Sequence, residues 1–452
     1  MHSITRRDFA RLGLGAAAAV KAGLVSAQSL PVQVLAGGAA QDTGGRKIRF
    51  VSIGTGIRGC DLLRSARQVP TGECVGTADL YDMHQRAGIE AWGAEVPTTK
   101  DYRTLLDRKD VDAVIVAVAD FQHRRVVLDC VAAGKDVYCE KPMSHTVADG
   151  LAMVAAVESG KRIFQAGSQR VSNVVYKKAG EIYAAGRLGE VHLIEARTDR
   201  NGPSGAWVYP VAPDASPATI DWKTWLRDAP ERPFDAVRFF EWRRFKEYCE
   251  GMAGDLFVHL FSGTHFITGS HGPTRAMATG GLRFWKDGRD APDVMLGLFD
   301  YKEGFNLSLR VNFVDGGEES EGLVFTGSEG TMEIGGDFVS VNRVPRETEP
   351  GLTIGTYSLA MQKKILEQYE AKYPRKHPQG APPPGFEKYV AAEGYSDQFD
   401  HFSNFFASVR SRKPVVEDAV FGFRAAGAAL LSNLSIEKDA ICHWDPEIMK
   451  VV

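Results

Sequence analysis

The first part of the chain alternates short apolar stretches with amphipathic ones, in the order strand, helix, strand. Val111–Ala119 (VDAVIVAVA) is almost continuously apolar, as strands buried on both faces of a parallel sheet are. Because helical stretches separate the apolar ones, the pattern predicts βαβ units wound into one parallel sheet. The predicted strands are Lys47–Ser52, Glu73–Thr77, Val111–Ala119 and Asp136–Cys139, and the predicted helices are Cys60–Val69 and Arg124–Ala133.

From Val191 onward the pattern changes to alternation of apolar and polar residues, which is typical of strands with one buried face. Gly and Asp turns, rather than helical crossovers, separate these stretches, so an antiparallel sheet is expected. The predicted strands are Val191–Arg197, Arg275–Phe284, Val294–Tyr301, Phe305–Phe313 and Gly322–Ile334, followed by helices at Asp397–Arg410 and Glu417–Leu434. The predicted fold class is α/β, with an N-terminal parallel-sheet domain and a C-terminal α/β domain that carries a large, mostly antiparallel sheet.

A glycine-rich loop follows the first predicted strand. Gly54, Gly56 and Gly59 form the pattern G-x-G-x-x-G directly before a predicted helix, as in the dinucleotide-binding turn of Rossmann domains. The loop includes Ile57 and Arg58, and the start of the helix offers N–H donors to a pyrophosphate. Asp79 ends the next strand, 25 residues beyond Gly54, near the spacing of a carboxylate that binds the ribose 2′-hydroxyl. This carboxylate favours NAD over NADP; the alternative for Asp79 is a capping or turn acid.

The first 27 residues are typical of an export leader. Arg6-Arg7 precede a short apolar stretch, Leu12–Val20, and a small-residue site at Val25-Ser26-Ala27. This pattern predicts a bacterial signal peptide of the twin-arginine type and therefore a periplasmic protein; the alternative is an amphipathic N-terminal helix. The predicted organisation is a signal peptide (1–27), a linker (28–46), a dinucleotide-binding domain (47–168) and a C-terminal substrate-binding and oligomerisation domain (169–452).

Composition argues against several classes of function. A formal net charge of -3 over 452 residues gives no reason to expect a nucleic-acid partner. No apolar run reaches the roughly 20 residues that a membrane-spanning helix needs, so no stable membrane insertion is expected. The six cysteines are scattered without a C-x-x-C pair, which predicts buried small apolar residues rather than a metal site or disulfides.

The segment Ala133–Pro142 (AGKDVYCEKP) resembles the family of glucose–fructose oxidoreductase and inositol dehydrogenase, Gfo/Idh/MocA, at its Glu-Lys-Pro motif. Phe164–Arg170, Leu188–Val191 and Gly254–His259 (GDLFVH) are similar to further motifs of the family. The resemblance extends from Lys47 to the C-terminus. It implies a Rossmann domain and a second domain whose sheet bears the substrate site on one side and commonly an oligomer interface on the other.

The resemblance also implies the site residues. Lys141 is expected to bind or deprotonate a substrate hydroxyl, Asp255 to orient it or the imidazole, and His259 to act as a base. Asp255 and His259 stand four residues apart in an apolar segment, so on a helix they share a face; the alternative is a capping aspartate and a core histidine. Ser262 departs from the Asp or Asn common in the family. The residues expected to bind the cofactor are Gly54, Gly56, Ile57, Arg58, Gly59, Asp79, His123, Glu140, Lys141 and Gln169, and no metal is expected.

These observations predict a periplasmic NAD(P)-dependent oxidoreductase acting on a sugar or sugar derivative. Because the periplasm has no nicotinamide pool, the cofactor is expected to be loaded before export and tightly held. An alternative is a redox-neutral glycosidase that oxidises, eliminates, hydrates and reduces; a third is a non-catalytic NAD-binding sensor. The resemblance implies a homodimer or homotetramer, and the expected substrate is a small sugar or glycoside.

Two segments have open roles. The segment 207–242 holds four of the seven tryptophans, which fits either a sugar subsite or a structural loop or interface. Arg243 and Arg244 follow it, as ligands for an anionic sugar or as rim charges. The segment 346–395 resembles an insertion, with a helix at Ser358–Tyr373 and a Pro-rich turn at Gln379–Gly385, and is expected to be a flap or an oligomer arm.

Overall fold

The structure, a computed structural model, describes residues 32–37, 45–347, 349–377, 380 and 383–452. The predicted signal peptide lies outside the described residues, so export stays a prediction. The strands are β1 (Val32–Leu35), β2 (Ile48–Ile53), β3 (Gly72–Ala78), β4 (Thr98–Thr99), β5 (Ala113–Val116), β6 (Asp136–Cys139), β7 (Phe164–Ala166), β8 (Val191–Asp199), β9 (Arg275–Gly281), β10 (Val294–Asp300), β11 (Asn306–Asn312), β12 (Ser320–Gly327), β13 (Gly330–Ile334), β14 (Phe338–Arg343), β15 (Gly385–Ala391), β16 (Cys442–Asp445) and β17 (Lys450–Val451).

Helices connect most of the strands in the first part of the chain, and two long helices lie near its C-terminus. They are α1 (Ile57–Arg67), α2 (Asp82–Trp92), α3 (Arg103–Leu106), α4 (His123–Ala132), α5 (Val147–Gly160), α6 (Val174–Ala184), α7 (Trp222–Trp225), α8 (Ala236–Phe240), α9 (Val258–Thr268), α10 (Leu359–Lys372), α11 (Asp397–Ser411) and α12 (Ala419–Lys438). Single 3₁₀ turns span Asp120–Gln122, Gln169–Ser172, Leu226–Asp228, Trp242–Arg244 and Leu352–Thr356, and a π-helical turn spans Ala253–Phe257.

The first sheet is parallel and doubly wound, as the apolar pattern predicted. Its six strands lie in the order β4-β3-β2-β5-β6-β7, and every pairing is parallel. The chain order reverses between β2 and β5, which is where ligands bind in such sheets. The strand predicted at Val111–Ala119 is wrong at both ends, since β5 spans only Ala113–Val116. Residues 117–119 continue the apolar run but leave the sheet toward this crevice. Periodicity alone does not show where the strand ends.

The second sheet is mixed and mostly antiparallel, which confirms the predicted class. Its eleven strands lie in the order β1-β15-β14-β13-β12-β8-β11-β10-β9-β16-β17, with parallel pairs at β1/β15 and β8/β11. The single strand predicted at Gly322–Ile334 is two strands, β12 and β13, because a tight turn at Ser328-Glu329 interrupts an otherwise continuous alternation. Part of the predicted linker forms β1 at the edge of this sheet.

One face of the large sheet packs on α9, where Phe299 contacts Phe261 at 4.9 Å between ring centroids. The neighbouring positions of β10, Leu296 and Leu298, point the other way and are exposed. Subunit association through this face stays a prediction. The helix α10, in the predicted insertion, has no buried residue and lies in the chain between β14 and β15.

The last two helices tie the sheets together. Helix α11 packs on the parallel sheet, where Phe406 stacks on Phe50 and Phe402 on Tyr138. Helix α12 contacts α9, α5 and β9. Among the described residues it is the one helix long and apolar enough to cross a membrane, and 61% of its apolar stretch is buried inside the protein. The dinucleotide-binding sheet therefore takes part of its core from the C-terminal 60 residues of the chain.

We expect Phe406→Ala to lower the free energy of unfolding by about 3–5 kcal/mol, because it leaves a cavity between α11 and β2. Urea denaturation measures this change. Phe386→Ala is the control, since Phe386 is 37% exposed and its truncation should change stability by only about 0.5 kcal/mol. Equal losses in the two variants would contradict the assigned packing of α11.

Candidate functional site

The glycine loop between β2 and α1 is held by close backbone contacts. Gly54 has a φ of +90°, and a Cβ there would lie 2.4 Å from the Ala117 carbonyl oxygen. A Cβ on Gly59 would lie 2.1 Å from the carbonyl oxygen of Gly54. A Cβ on Gly56, by contrast, meets nothing nearer than the His84 ring at 3.5 Å. Gly54 and Gly59 therefore allow the loop to form, whereas Gly56 leaves space beside it.

That space belongs to a cavity of about 740 Å³ at the point where the strand order reverses. Gly54, Gly56 and Asp79 line it. Gly56 is the N-cap of α1, and no side chain caps that end, so its N–H groups are available to an anionic ligand. The glycine lining and the uncapped helix end both fit a dinucleotide.

Asp79 forms part of the cavity wall and is already engaged by the protein. Its carboxylate accepts hydrogen bonds from the backbone N–H of Thr55 at 2.7 Å and of Tyr81 at 3.0 Å. His84 Nδ1 lies 3.4 Å from it. Burial opposes ionisation, but His84 and the two N–H donors outweigh it and lower the pKa of Asp79. The predicted ribose ligand is therefore an ionised carboxylate that also fixes the glycine loop.

The aromatic segment 207–242 forms a cover over this cavity. Trp222 and Trp225 stack at 4.9 Å, and Trp225 packs edge-on against Phe121 of the dinucleotide domain at 5.2 Å. Side chains of Trp225, Phe239 and Trp242 line the cavity. Most of the segment therefore packs on the dinucleotide domain or lines this cavity, and a sugar subsite in it stays a prediction. Arg244, predicted as a possible rim charge, is buried against Glu241 and Asp287.

The Glu-Lys-Pro turn after β6 is fixed by residues that were predicted to touch the cofactor. Glu140 is bonded to Arg58 Nε at 2.7 Å and accepts from the Lys141 N–H at 3.2 Å. His123 is buried, with Nδ1 2.8 Å from the Pro142 carbonyl oxygen. The side chains of Arg58, His123 and Glu140 therefore support the turn from behind and do not line the 740 Å³ cavity.

Lys141 points from this turn into the second domain and binds Asp255. Lys141 Nζ donates to the carboxylate at 2.8 Å and to the main-chain oxygen of Asp255 at 2.6 Å. Arg243 Nε lies 3.5 Å from the same carboxylate, and Trp207 Nε1 donates to its other oxygen at 3.3 Å. Burial opposes the charge on Asp255, but Lys141, Arg243 and Arg200 hold its pKa far below the usual range.

His259 lies one turn beyond, at the start of α9. Its Nδ1 is 3.1 Å from the Ser168 hydroxyl. Burial, followed by the charges of Lys141 and Arg170, keeps its pKa well below 6.5, with Asp255 acting the other way. The imidazole is therefore neutral in neutral solution. Asp255 lies in a π-helical turn and His259 in the α-helix that follows. The charge of Lys141 acts on both side chains, so the structure brings the three predicted residues together.

Two further predicted features have clear positions. The side-chain oxygen of Gln169 is buried with no hydrogen-bond partner among the described residues, which leaves an acceptor available to a bound ligand. Ser262, where the family commonly has an acid or amide, donates to Glu417 at 2.9 Å. Burial raises the pKa of Glu417 well above its usual range, so a carboxyl from another element stands beside this position.

Asp120 was not among the predicted site residues. Asp120 is 5% exposed. The charges of Arg243, Asp255 and Lys141 act on its carboxyl group. Burial raises its pKa to about 8, and Asp255 adds to this while Arg243 and Lys141 oppose it. Its position directly after the predicted strand Val111–Ala119 was the available signal. Trp207 and Ser168 had no comparable signal, because only the fold brings them to the site.

Among the described residues, no group of three or more His, Cys, Asp or Glu side chains could hold a metal ion. The six cysteines are buried, as predicted.

Residues 48–168 match the model of an oxidoreductase family with an NAD-binding Rossmann fold, and residues 223–333 match the Gfo/Idh/MocA C-terminal domain. Together the two matches cover just over half of the chain. The chain belongs to the Gfo/Idh/MocA oxidoreductase family.

Particular relatives refine this placement. The inositol 2-dehydrogenase of Gluconacetobacter diazotrophicus is 33% identical over 180 residues, which are 39% of this chain and 53% of the relative. Inositol 2-dehydrogenase 1 of Saccharopolyspora erythraea is 34% identical over 183 residues, 40% of this chain and 54% of the relative. The chain thus spans about half the length of these relatives.

Solved structures share the whole fold. A levoglucosan dehydrogenase in complex with NADH and levoglucosan has a TM-score of 0.65 at 16% identity, over 88% of this chain and 99% of that one. A structure described as a putative myo-inositol dehydrogenase from Sinorhizobium meliloti has a TM-score of 0.59 at 16% identity, over 88% and 99% of the two chains. At this identity the likeness establishes the fold alone.

The two glycines make a matched pair for a binding test. Gly56→Ala should leave stability within about 0.5 kcal/mol, because its Cβ has room, but should weaken dinucleotide binding. Gly59→Ala should lower the free energy of unfolding by about 1–3 kcal/mol or more, because its Cβ collides with backbone. Denaturation and titration calorimetry with NAD separate the effects. Unchanged NAD affinity in Gly56→Ala would argue against this cavity as the binding site.

The raised pKa of Asp120 predicts a pH-dependent stability. Between its usual pKa of 3.8 and about 8, the folded state keeps a proton that the unfolded state has lost, so rising pH destabilises the fold. We expect Asp120→Asn to gain stability over the wild type as pH rises through this range, and the gain to level off above it. Urea denaturation at several pH values measures the difference in free energy of unfolding between the variant and the wild type. Asp110→Asn is the control, because the pKa of Asp110 is about 2; a flat profile for Asp120→Asn would show that Asp120 is not buried in its neutral form.

Proposed function

We propose that this protein is a nicotinamide-dependent dehydrogenase that interconverts an alcohol and a carbonyl on a sugar or cyclic polyol. One observation carries the proposal: Lys141, Asp255 and His259 converge at the carboxyl edge of the sheet whose glycine loop lines the 740 Å³ cavity. Hydride transfer to or from an alcohol needs a dinucleotide site and a proton-accepting group side by side, and these two parts are adjacent here.

The cofactor we propose is NAD, held tightly. When bound, a nicotinamide dinucleotide accepts or donates the hydride. Gly54, Gly56 and the start of α1 would hold its phosphates, and the ionised Asp79 would repel a 2′-phosphate. The aromatic cover formed by Trp225, Phe239 and Trp242 supports slow release, because these side chains line the same cavity as the glycine loop.

The protein's own groups handle the substrate hydroxyl. Asp255 holds Lys141 through two hydrogen bonds and keeps Nζ at a fixed position. His259 is neutral, its Nδ1 engaged by Ser168, and its Nε2 has no hydrogen-bond partner within the described part of the chain. A substrate hydroxyl between the two would meet one donor and one acceptor, which is the arrangement that orients an alcohol for loss of its proton.

The test uses protein purified without added cofactor. Bound dinucleotide should be released on denaturation, and myo-inositol or levoglucosan, the substrates named for relatives, should change the nicotinamide absorbance of the native protein. Lys141→Met should lower the rate about 10²–10⁴-fold while dinucleotide stays bound. Lys286→Met is the control, because Lys286 is an exposed lysine that is not among the predicted site residues.

Three results would count against the proposal. Absence of any bound or bindable dinucleotide would remove the cofactor site. Release of nitrophenol from a nitrophenyl glycoside without net change in nicotinamide absorbance would favour the redox-neutral glycosidase, and full activity in Lys141→Met would remove the assigned role of the lysine.

A further inference from the structure

Arg243 lies beside the pair formed by Lys141 and Asp255 and carries hydrogen-bond donors that the protein does not use. Its Nε is 3.5 Å from the same oxygen of Asp255 that Lys141 Nζ approaches at 2.8 Å. No nitrogen of the Arg243 side chain has a hydrogen-bond partner in the described part of the chain, yet none is a buried atom without a partner. These nitrogens are therefore accessible to solvent, and the side chain is 24% exposed. The guanidinium is thus open to a ligand at the site.

Two contacts fix the position of this guanidinium. Arg243 Cζ lies over the ring of Trp242, 4.2 Å from its centroid, and Trp242 lines the dinucleotide cavity. An arginine stacked on an aromatic face keeps its N–H groups at the edge of the guanidinium plane. Because Asp255 approaches Arg243 at Nε, the two terminal nitrogens form the edge that is left. This edge is a positioned fork for the two oxygens of one anionic group.

Arg200 adds a second cation near the same carboxylate. It donates to the main-chain oxygen of Gly205 at 3.2 Å and lies over the ring of Phe313 at 5.8 Å, and it forms no ion pair with the described residues. Phe313 packs edge-on against Trp207 at 4.7 Å, and Trp207 Nε1 donates to Asp255 at 3.3 Å. Arg200 therefore reaches the surroundings of Asp255 through one pair of packed rings, with its charge unmatched by an acid of its own.

The cations around Asp255 outnumber the ionised carboxylates. The charges of Lys141, Arg243 and Arg200 all act on Asp255. Asp120 does not balance them, because burial raises its pKa to about 8 and keeps it mostly protonated in neutral solution. Other acids near the site are paired with arginines of their own, namely Glu140 with Arg58, Glu321 with Arg170 and Glu241 with Arg244. An excess of positive charge in a partly buried site favours an anionic ligand.

We infer that the substrate is a sugar acid whose carboxylate binds to Arg243, while Lys141 and His259 hold the hydroxyl that reacts. This inference rests on the proposed function and names its substrate class. Arg243 and Lys141 approach one oxygen of Asp255, so the anionic group belongs on a carbon close to the one that reacts. Arg200 contributes charge, and Arg243 supplies the fork. Neutral polyols lack the group that this fork binds, which makes Arg243 a specificity-determining residue.

The test compares substrates that differ in one charge. D-glucuronate and D-galacturonate are each paired with the corresponding uronamide, which keeps the ring hydroxyls and the size of the group but is neutral. Turnover of the NAD-loaded wild type is followed by nicotinamide absorbance. In at least one pair, kcat/KM should be about tenfold or more higher for the acid than for the amide, and most of the difference should lie in KM. Equal values for acid and amide in both pairs would overturn the inference.

Variants of two matched arginines locate the effect. Arg243→Met should raise KM for the uronate by about 10–100-fold and leave KM for the uronamide within about twofold. Arg243→Lys keeps the charge but loses the fork, so its KM for the uronate should lie between those of the wild type and Arg243→Met. Arg238→Met is the control, because Arg238 also lies 4.2 Å over an aromatic ring, that of Phe245, and is similarly exposed, but its charge is matched by Glu247 at 3.1 Å. An equal rise in KM for the uronate in Arg238→Met would contradict the assignment.

A binding measurement separates this inference from the proposed function. Titration calorimetry of the NADH-loaded protein should show the uronate binding about tenfold or more tightly than the uronamide, and Arg243→Met should abolish this preference. The preference without any nicotinamide reduction in the wild type would refute the proposed function alone. Nicotinamide reduction with equal affinities for acid and amide would refute the sugar-acid inference alone. Weaker NAD binding in Arg243→Met, with the preference for the uronate intact, would make Arg243 a cofactor ligand and would also overturn the inference.

Discussion

The hydrogen-bonded ion pair between Lys141 and Asp255 is the contact on which the site depends. The lysine comes from the carboxyl edge of the parallel sheet and the aspartate from the π-helical turn of the second domain, so the pair joins the two halves of the molecule. Both side chains are largely buried, at 13% and 14% exposure. A buried charge must be compensated, and each of these residues compensates the other while Arg243 shares the carboxylate.

The rest of the architecture serves to bring these groups to one place. Close approach of the glycine loop to β5 puts the dinucleotide cavity beside the Glu-Lys-Pro turn, and Glu140 fixes that turn through Arg58. The aromatic segment then covers the cavity from the second domain, and α11 returns to pack on the first sheet. The two domains predicted from the sequence are therefore interleaved, since each contributes to the core or cover of the other.

The predictions that succeeded depend on local geometry. Gly54 and Gly59 are recognisable because neighbouring backbone lies too close to allow a side chain at either position. The turn that carries Lys141 is recognisable because its motif directly follows a strand. Where the prediction was wrong or silent, the cause lies outside the local pattern. The Ser328-Glu329 turn leaves the alternation of polar and apolar residues intact, and Asp120 differs from a surface aspartate only in what is packed around it.

The sequence by itself determined the fold class and the dinucleotide loop, because strand periodicity and glycine spacing are properties of neighbouring residues. Its motifs also predicted Lys141, Asp255 and His259 as site residues. Only the tertiary structure decided that Arg58, His123 and Glu140 support a turn, that the tryptophans cover the cofactor cavity, and that Asp120 adjoins Glu250. These roles arise from burial and from contacts between distant segments, which set the charge and direction of a side chain and which no local pattern records.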